Sequence, residues 1–476
     1  MARRLLTLLA ALLLALSLGQ PSASAASFTN PVKAQKGADP WISYHDGNYY
    51  MVATSWTDVI TIRKSATLAG LASAPGVQVW KGDAANRCCN IWAPEIHFIN
   101  GRWYLYYVAG QNVSDYIPTQ RTHVLESAGS DPMGPYTYRN QLNSAWMLDP
   151  NVATINGQLY LFGSASGGTQ NLVAARMSNP YTLATGFSTI STPTYDWERN
   201  GTVNEGPEIL QRGGRTFLIY SASGCWTPDY KLGQLTLTGS DPLLAASWTK
   251  KSTPVFQRSD ANGVYGPGHN GFFTSPDGTE SWIVYHANDS ASDGCDNGRT
   301  ARAQKFTWNS DGTPNFGTPV RLGASMTGPS GEPSSASTTY TVINRNSGKC
   351  LDVAGGSTAD GANVQQWSCN GGNNQKWRLE DLGDDTHRLV NVATGKVLDT
   401  ENCSAADGAG LRQWSWLDNT CQRFRFVATD GGHVRIANQA TGKVADVANC
   451  GTADGTDVRQ WSWLNNTCQQ WRLNPV

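Results

Sequence analysis

The chain has 476 residues and a formal net charge of -1, and only 15% of its residues are Asp, Glu, Lys or Arg, against about 25% in an average soluble protein. So neutral a surface excludes nucleic acid and acidic membrane as partners, since both need a basic face. With 18 Trp and 49 Gly, the composition suits a turn-rich β fold with many flat aromatic faces.

The first element reads as a leader. Arg3 and Arg4 precede an apolar run from Leu5 to Leu18, and Ala23-Ser24-Ala25 offers a small-residue cleavage site, the pattern of a secretory signal. The run is too short for a membrane-spanning helix. Residues 1–25 are therefore set aside as signal peptide, and a secreted, extracellular product is expected. An even count of ten cysteines then points to disulfides rather than metal ligands.

From residue 26 to 326 the chain repeats five times. Asp39-Pro40, Ala93-Pro94, Asp149-Pro150, Gly206-Pro207 and Gly266-Pro267 mark the repeats, with the prolines 54, 56, 57 and 60 residues apart. A tight-turn pair follows each, at Asp46-Gly47, Asn100-Gly101, Asn156-Gly157, Gly213-Gly214 and Asp277-Gly278, and such pairs favour β-hairpins. Each turn leads into an aromatic and β-branched strand: NYYMV, RWYLYY, QLYLF, RTFLIY and ESWIVYH. One hairpin plus chain enough for two more strands, five times over, predicts an all-β, five-bladed β-propeller. No stretch after the leader sustains helical periodicity.

Residues 327–339, TGPSGEPSSASTT, read as a linker. Beyond it, 340–476 repeats three times without drift: Asp352, Asp399 and Asp446 step by 47, as do Trp367, Trp414 and Trp461, and Gln375, Gln422 and Gln469. A unit this short must share one core among its copies. The cysteines come and go as couples. Cys350 and Cys369 become Val and Trp in the other copies, while Cys403/Cys421 and Cys450/Cys468 become Gly356 and Asn374 in the first. That predicts Cys350–Cys369, Cys403–Cys421 and Cys450–Cys468 bonds. Cys88 and Cys89 either form a vicinal disulfide or each pair elsewhere; Cys88–Cys89 with Cys225–Cys295 is the simplest arrangement.

In a propeller the first strand of each blade lines the axis, so the residues beside the five prolines converge. They are Asp39, Glu95, Asp149, Glu205 with Glu208, and His269. Carboxylates gathered on an axis repel one another and lose solvation, a cost that suits chemistry. Glu95 and Glu208 lie one residue past their prolines and are expected to be secondary or structural.

Ala-Asp39-Pro, Leu-Asp149-Pro-Asn and Asn-Glu205-Gly-Pro on a five-repeat β frame resemble glycoside hydrolase family 43. The resemblance implies an inverting glycosidase with Asp39 as general base, Glu205 as general acid and Asp149 raising and orienting the acid. A glycosidase needs one carboxyl ionised and one protonated at the same pH, which a third carboxylate near the acid would favour. The resemblance further implies His269 on the axis, as a substrate-binding residue and near a calcium or sodium ion held through water, and Arg302 as a substrate-binding arginine; a surface arginine is the competing reading. Trp41 and Trp92 flank the pocket, as stacking faces for sugar or as core. No cofactor is required for the chemistry.

The three Gln-x-aromatic copies resemble the ricin-type β-trefoil, carbohydrate-binding module family 13. The resemblance implies sugar contacts from Asp352, Trp367, Asn370 and Asn374 in the first repeat, and from Asp399 with Trp414 and Asp446 with Trp461 in the others. There the Asn374 position is a cysteine, which puts full binding in doubt.

The function expected is a secreted exo-acting α-L-arabinofuranosidase that releases L-arabinose from α-1,5-linked arabinan, with a plant cell-wall polysaccharide as partner and a monomeric state. The substrate rests on resemblance to the arabinofuranosidase branch. Exo-β-1,3-galactanase, β-xylosidase and endo-arabinanase are rivals within the family, and xylan or galactan are further polymers for the trefoil. The loops Gln111–Thr122 and Ala287–Gly298 are candidates for closing one end of a cleft. A retaining fructan hydrolase would want Asn and Arg where Ala38 and Leu148 stand. A non-catalytic lectin would tolerate loss of the pocket carboxylates, yet all three are present.

Overall fold

The computed structural model describes residues 27–333, 339–382 and 385–476. The leader and part of the linker lie outside them. Among the described residues every regular element is a β-strand or a short 3-10 turn.

The N-terminal part is propeller-like. Four antiparallel sheets stand apart, and their first strands are Cys89–Ile99, Met147–Ile155, Asn204–Arg212 and Tyr265–Thr274. A further meander of the same order, Trp41–His45, Asn48–Val52, Val59–Ser65 and Gly76–Lys81, continues through its last strand into the C-terminal part. The first strands neighbour one another in a closed cycle, with Tyr265–Thr274 returning to Trp41–His45.

The strand pattern explains the cycle. In Asn48–Val52, Tyr49 and Met51 join the apolar layer shared with Phe273 and Trp282, while Tyr50 and Val52 join the layer shared with Ile96 and Trp103. Phe217 and Ile219 likewise face one neighbour and Leu218 and Tyr220 the other. Side chains alternate across a strand, so a sheet buried on both faces needs apolar residues at every position of its second strand. The hairpins take the anticipated turns: Asp46-Gly47, Asn100-Gly101, Asn156-Gly157 and Gly213-Gly214 all have positive φ at both residues, the type I′ signature.

The C-terminal part repeats a set of four strands three times, from Thr339–Asn344 to Trp471–Pro475. Its repeated glutamines explain the Gln-x-aromatic motif: Gln375, Gln422 and Gln469 are fully buried, and each ties the backbone of its own turn. Gln422 accepts from the Leu417 N–H at 2.7 Å and donates to the Ser415 carbonyl at 3.0 Å. Two residues on, Trp377, Phe424 and Trp471 fill the shared core. Phe426 and Val427 pair in parallel with Val77 and Gln78 of the N-terminal part, and Arg63 forms an ion pair with Asp381 across the same junction. All five disulfides form as paired above, the vicinal one included.

Candidate active site

The residue before each of the five prolines sits in left-handed backbone: Asp39 (φ 53°), Ala93 (43°), Asp149 (57°), Gly206 (53°) and Gly266 (54°). This conformation is costly wherever a Cβ is present. It interrupts the ladder, with register shifts between Leu148 and Asn151 and between Glu205 and Glu208. Around the resulting kinks gather Asp39, Asp149, Glu205 and His269.

Asp39 is surrounded by polar side chains. Its Oδ1 lies 3.1 Å from His269 Nδ1, 3.4 Å from His286 Nδ1 and 3.6 Å from Arg299 Nη1, and Thr54 Oγ1 donates to Oδ2. Burial pushes its carboxyl up, but His269, His286 and Arg299 outweigh burial and hold it well below the usual carboxylate range. His286 is driven down to about 3, by burial first and Arg299 second, so it is a neutral imidazole at neutral pH. Its Nδ1 accepts from the Asp39 backbone N–H at 3.1 Å. His269 goes the other way, to about 10: burial lowers it, and Asp39, Asp149 and Glu205 more than compensate. With the Arg299 guanidinium it supplies the positive charge of the cluster.

Glu205 and Asp149 are pushed in the opposite sense from Asp39. Burial raises Glu205 above the usual range, against the pull of His269 and of hydrogen bonds from Tyr230 Oη at 2.8 Å and Gln170 Nε2 at 2.7 Å. Asp149 rises to about 7, through burial and the charges of Glu205 and Asp39, with His269 opposing. Its Oδ2 accepts from the Gly206 N–H at 2.9 Å, which ties it to the strand that carries Glu205. One carboxyl is thus held ionised, while a neighbouring pair holds a proton towards neutral pH.

Glu95 and Glu208 form a separate layer. Asn151 Nδ2 donates to Glu95 Oε2 at 3.1 Å and to Glu208 Oε2 at 3.0 Å, and His97 Nε2 lies 2.7 Å from Glu95. Burial and Glu95 push Glu208 well up, which favours its protonated form in a structural unit.

Trp41 is half-buried and has the contacts of its core reading: its ring lies 4.9 Å from His97, its indole N–H donates to the Ile96 carbonyl at 3.1 Å, and it packs over Gly271. One expectation needs correction. Arg302 is fully buried and bonded to Asp289 and Thr300. The arginine beside the acidic group is Arg299, three residues earlier, which precedes the Thr300–Trp308 strand instead of lying within it. Trp92 is half-buried and set edge-on to Tyr116 at 5.7 Å, beside the vicinal disulfide.

Among the described residues no group of three or more His, Cys, Asp or Glu is arranged to hold a metal ion. Asn270 buries both amide atoms without a hydrogen-bond partner, but one amide is not a ligand set.

Several site residues escaped the sequence reasoning. Thr54, Ser221 and His286 occupy equivalent positions near the ends of three second strands; Thr54 and His286 touch Asp39, and Ser221 Oγ accepts from the His269 N–H at 2.7 Å. The register already used for the first strands, extended across the hairpin, would have found them. Tyr230, Gln170 and Trp56, whose ring lies 5.3 Å from the Arg299 guanidinium, had no such signal.

In the trefoil, Asp352 accepts from Gln365 at 3.0 Å, Asn374 at 2.7 Å and Gln375 at 3.1 Å. Trp367 is 40% exposed on the adjoining strand, which leaves a face for sugar. Asn370 is engaged elsewhere, its side-chain oxygen accepting from the Gly372 N–H at 2.8 Å. In the second and third repeats an arginine replaces Gln365: Arg412 and Arg459 bond to Asp399 at 2.9 Å and Asp446 at 3.0 Å, and lie 4.2 Å over Trp414 and Trp461.

Both parts of the chain are similar to known proteins. The profile of glycosyl hydrolases family 43 matches residues 28–314, and that of the ricin-type beta-trefoil lectin domain-like family matches 330–414 and 420–476. The chain is 44% identical over 343 residues to an extracellular exo-alpha-(1->5)-L-arabinofuranosidase of Streptomyces avermitilis, covering 67% of this chain and 70% of that one. A Streptomyces chartreusis protein of the same name is 38% identical over 275 residues, 55% of this chain and 83% of its own. The crystal structure of an alpha-L-arabinofuranosidase from Lactobacillus brevis superposes with a TM-score of 0.59 at 36% identity, covering 62% of this chain and 98% of that one.

Proposed function

The chain belongs to glycosyl hydrolase family 43, and on that footing we propose that it is a secreted, inverting, exo-acting α-L-arabinofuranosidase that releases L-arabinose from α-1,5-linked arabinan. The arabinofuranosidases it resembles support the substrate. Their extracellular setting and the five disulfides support secretion, with residues 1–25 as signal peptide. We count the Trp41–Lys81 meander as a fifth blade, giving a catalytic propeller over 26–326 joined by the linker to a trefoil over 340–476 that holds the enzyme on its polymer.

The observation that carries the mechanism is the opposed setting of the carboxyls. Asp39, kept ionised by His269 and Arg299, takes a proton from water as the water oxygen attacks the anomeric carbon. Glu205, kept protonated by burial, gives its proton to the glycosidic oxygen as the carbon–oxygen bond breaks. Attack opposite the leaving group inverts the configuration. Asp149, tied to the Gly206 N–H, orients the acid's strand and opposes ionisation of the acid. No step needs a metal. Arg299 and Trp56, not Arg302, are the substrate-side residues we assign next to the base.

Digestion of debranched linear arabinan tests the reading. Arabinose as the sole early product, absent with Glu205→Ala, is expected. Oligosaccharides as early products would mean endo action, and inertness towards arabinan with turnover of β-1,3-galactan or xylo-oligosaccharides would overturn the substrate.

A further inference from the structure

Trp226 is the most exposed of the large hydrophobic aromatics among the described residues, at 59%, and its setting is built rather than incidental. Its indole rests on two glycines of two different loops. A Cβ added at Gly224 would come within 2.3 Å of the ring, and one at Gly201 within 2.8 Å. Any side chain at either position would drive the indole off its seat. The preceding residue, Cys225, is bonded to Cys295, which fastens this loop to the 287–298 loop of the next sheet. The Gly224 N–H donates to the Asn200 carbonyl at 2.6 Å, and the Thr227 hydroxyl to the Gly224 carbonyl at 2.9 Å. More than half of Trp226 stays exposed despite this support, so its outward part is presented for use.

Its location says what that use is. The loop leaves the Arg215–Ala222 strand at Ala222, which pairs with Asn204, the neighbour of Glu205. It re-enters the sheet just after Tyr230, whose hydroxyl donates to Glu205. Trp226 therefore belongs to the sheet that carries the acid, whereas His269, His286 and Arg299 crowd the base from the next sheet. A general acid protonates the departing oxygen, so the sugars on its side belong to the leaving group.

We propose that Trp226 is a stacking platform for an arabinofuranosyl residue of the leaving chain, beyond the bond that is cut. This rests on the assignment of Glu205 as the acid. A sugar ring presents a face of C–H groups that packs flat on indole, and binding energy gathered at such a remote point is spent on the chemical step. The platform makes the enzyme prefer long arabinan chains over short ones.

The test is kcat/KM on linear α-1,5-arabino-oligosaccharides of two to six residues and on 4-nitrophenyl α-L-arabinofuranoside, for the native protein, Trp226→Ala, Trp226→Phe and Gly224→Ala. The readout is the ratio of hexaose to aryl glycoside. In the native protein this ratio is expected to rise with chain length. Trp226→Ala and Gly224→Ala should lower it about tenfold, with Trp226→Phe in between. Because each variant is compared with its own aryl rate, loss of folding cancels. A weakened acid would also lower the ratio, since 4-nitrophenolate leaves with little protonation. The alkaline limb of kcat/KM on the hexaose must therefore stay where the native protein has it, and a shifted limb overturns the platform. An unchanged ratio in Trp226→Ala overturns the platform. A native protein inactive on the aryl glycoside and on every oligosaccharide overturns the arabinofuranosidase reading instead.

Discussion

The two halves of this molecule are both made by repetition, and they use it in opposite ways. In the propeller, one backbone position before the proline recurs five times with nearly the same positive φ, yet it carries Asp39, Ala93, Asp149, Gly206 and Gly266. In the trefoil the copies stay alike down to their surface lattice. Lys349, Lys396 and Lys443 reach Asp454, Asp360 and Asp407 of the adjoining copy at 2.6, 2.5 and 2.5 Å, and Ser368, Ser415 and Ser462 bond to the same aspartates. A repeated scaffold whose side chains diverge concentrates unlike groups on one axis, which catalysis needs. A scaffold whose side chains persist multiplies one weak contact, which retention on a polymer needs.

If that contrast is right, the two halves should fail differently. Glu205→Gln or Asp39→Asn should cut turnover of arabinan by about 10²–10⁴-fold and leave its co-sedimentation with insoluble arabinan intact. Simultaneous loss of binding would mean that the propeller, not the trefoil, holds the polymer. Asp149→Asn sharpens the chemical side. In the native protein, activity is lost as pH rises and the Asp149/Glu205 pair, with Asp149 at about 7, gives up its proton. Removing one negative charge makes Glu205 easier to ionise, so the alkaline limb of kcat/KM should move to lower pH. The acidic limb, set by Asp39, should sit well below the usual carboxylate range because of His269.

On the trefoil side, Asp352→Ala, Asp399→Ala or Asp446→Ala alone should weaken retention on polymer by a few-fold (roughly the share of one site among three), and the triple variant should abolish it. A single substitution that abolishes retention would reduce the trefoil to one working site. The smallest effect concerns the lattice itself. Lys396→Met removes a surface ion pair with Asp360 and should change stability by about 0–1 kcal/mol, read as a small shift in the denaturant midpoint. A larger loss would show that the lattice holds the copies together.

Much of this was legible in the chain, because repetition turns sequence position into spatial position. The five prolines, the paired turn residues and the 47-residue step identify the axis residues and pair the trefoil cysteines before any coordinates are known. What escaped lies where repetition says nothing. Gln170 begins a third strand, and Tyr230 and Trp226 sit in a loop unlike its counterparts. Arg299 was passed over for Arg302 within one five-residue stretch, Gly-Arg-Thr-Ala-Arg, because residue type does not reveal where the strand begins. Thr300 opens the strand, so Arg299 stays at the mouth and Arg302 is buried between sheets. The space that the opposing Gly271 leaves for Trp41 likewise becomes visible only in the folded ring of strands.

The central claim is that Asp39 and Glu205 act from opposite sides of the same bond, and the anomer first released tests it most directly. Proton NMR during the opening minutes of arabinan digestion should show β-configured L-arabinose from the native protein, ahead of mutarotation, and none from Glu205→Ala. The α anomer appearing first would contradict the account, since it would require a covalent intermediate and make one of these carboxylates a nucleophile.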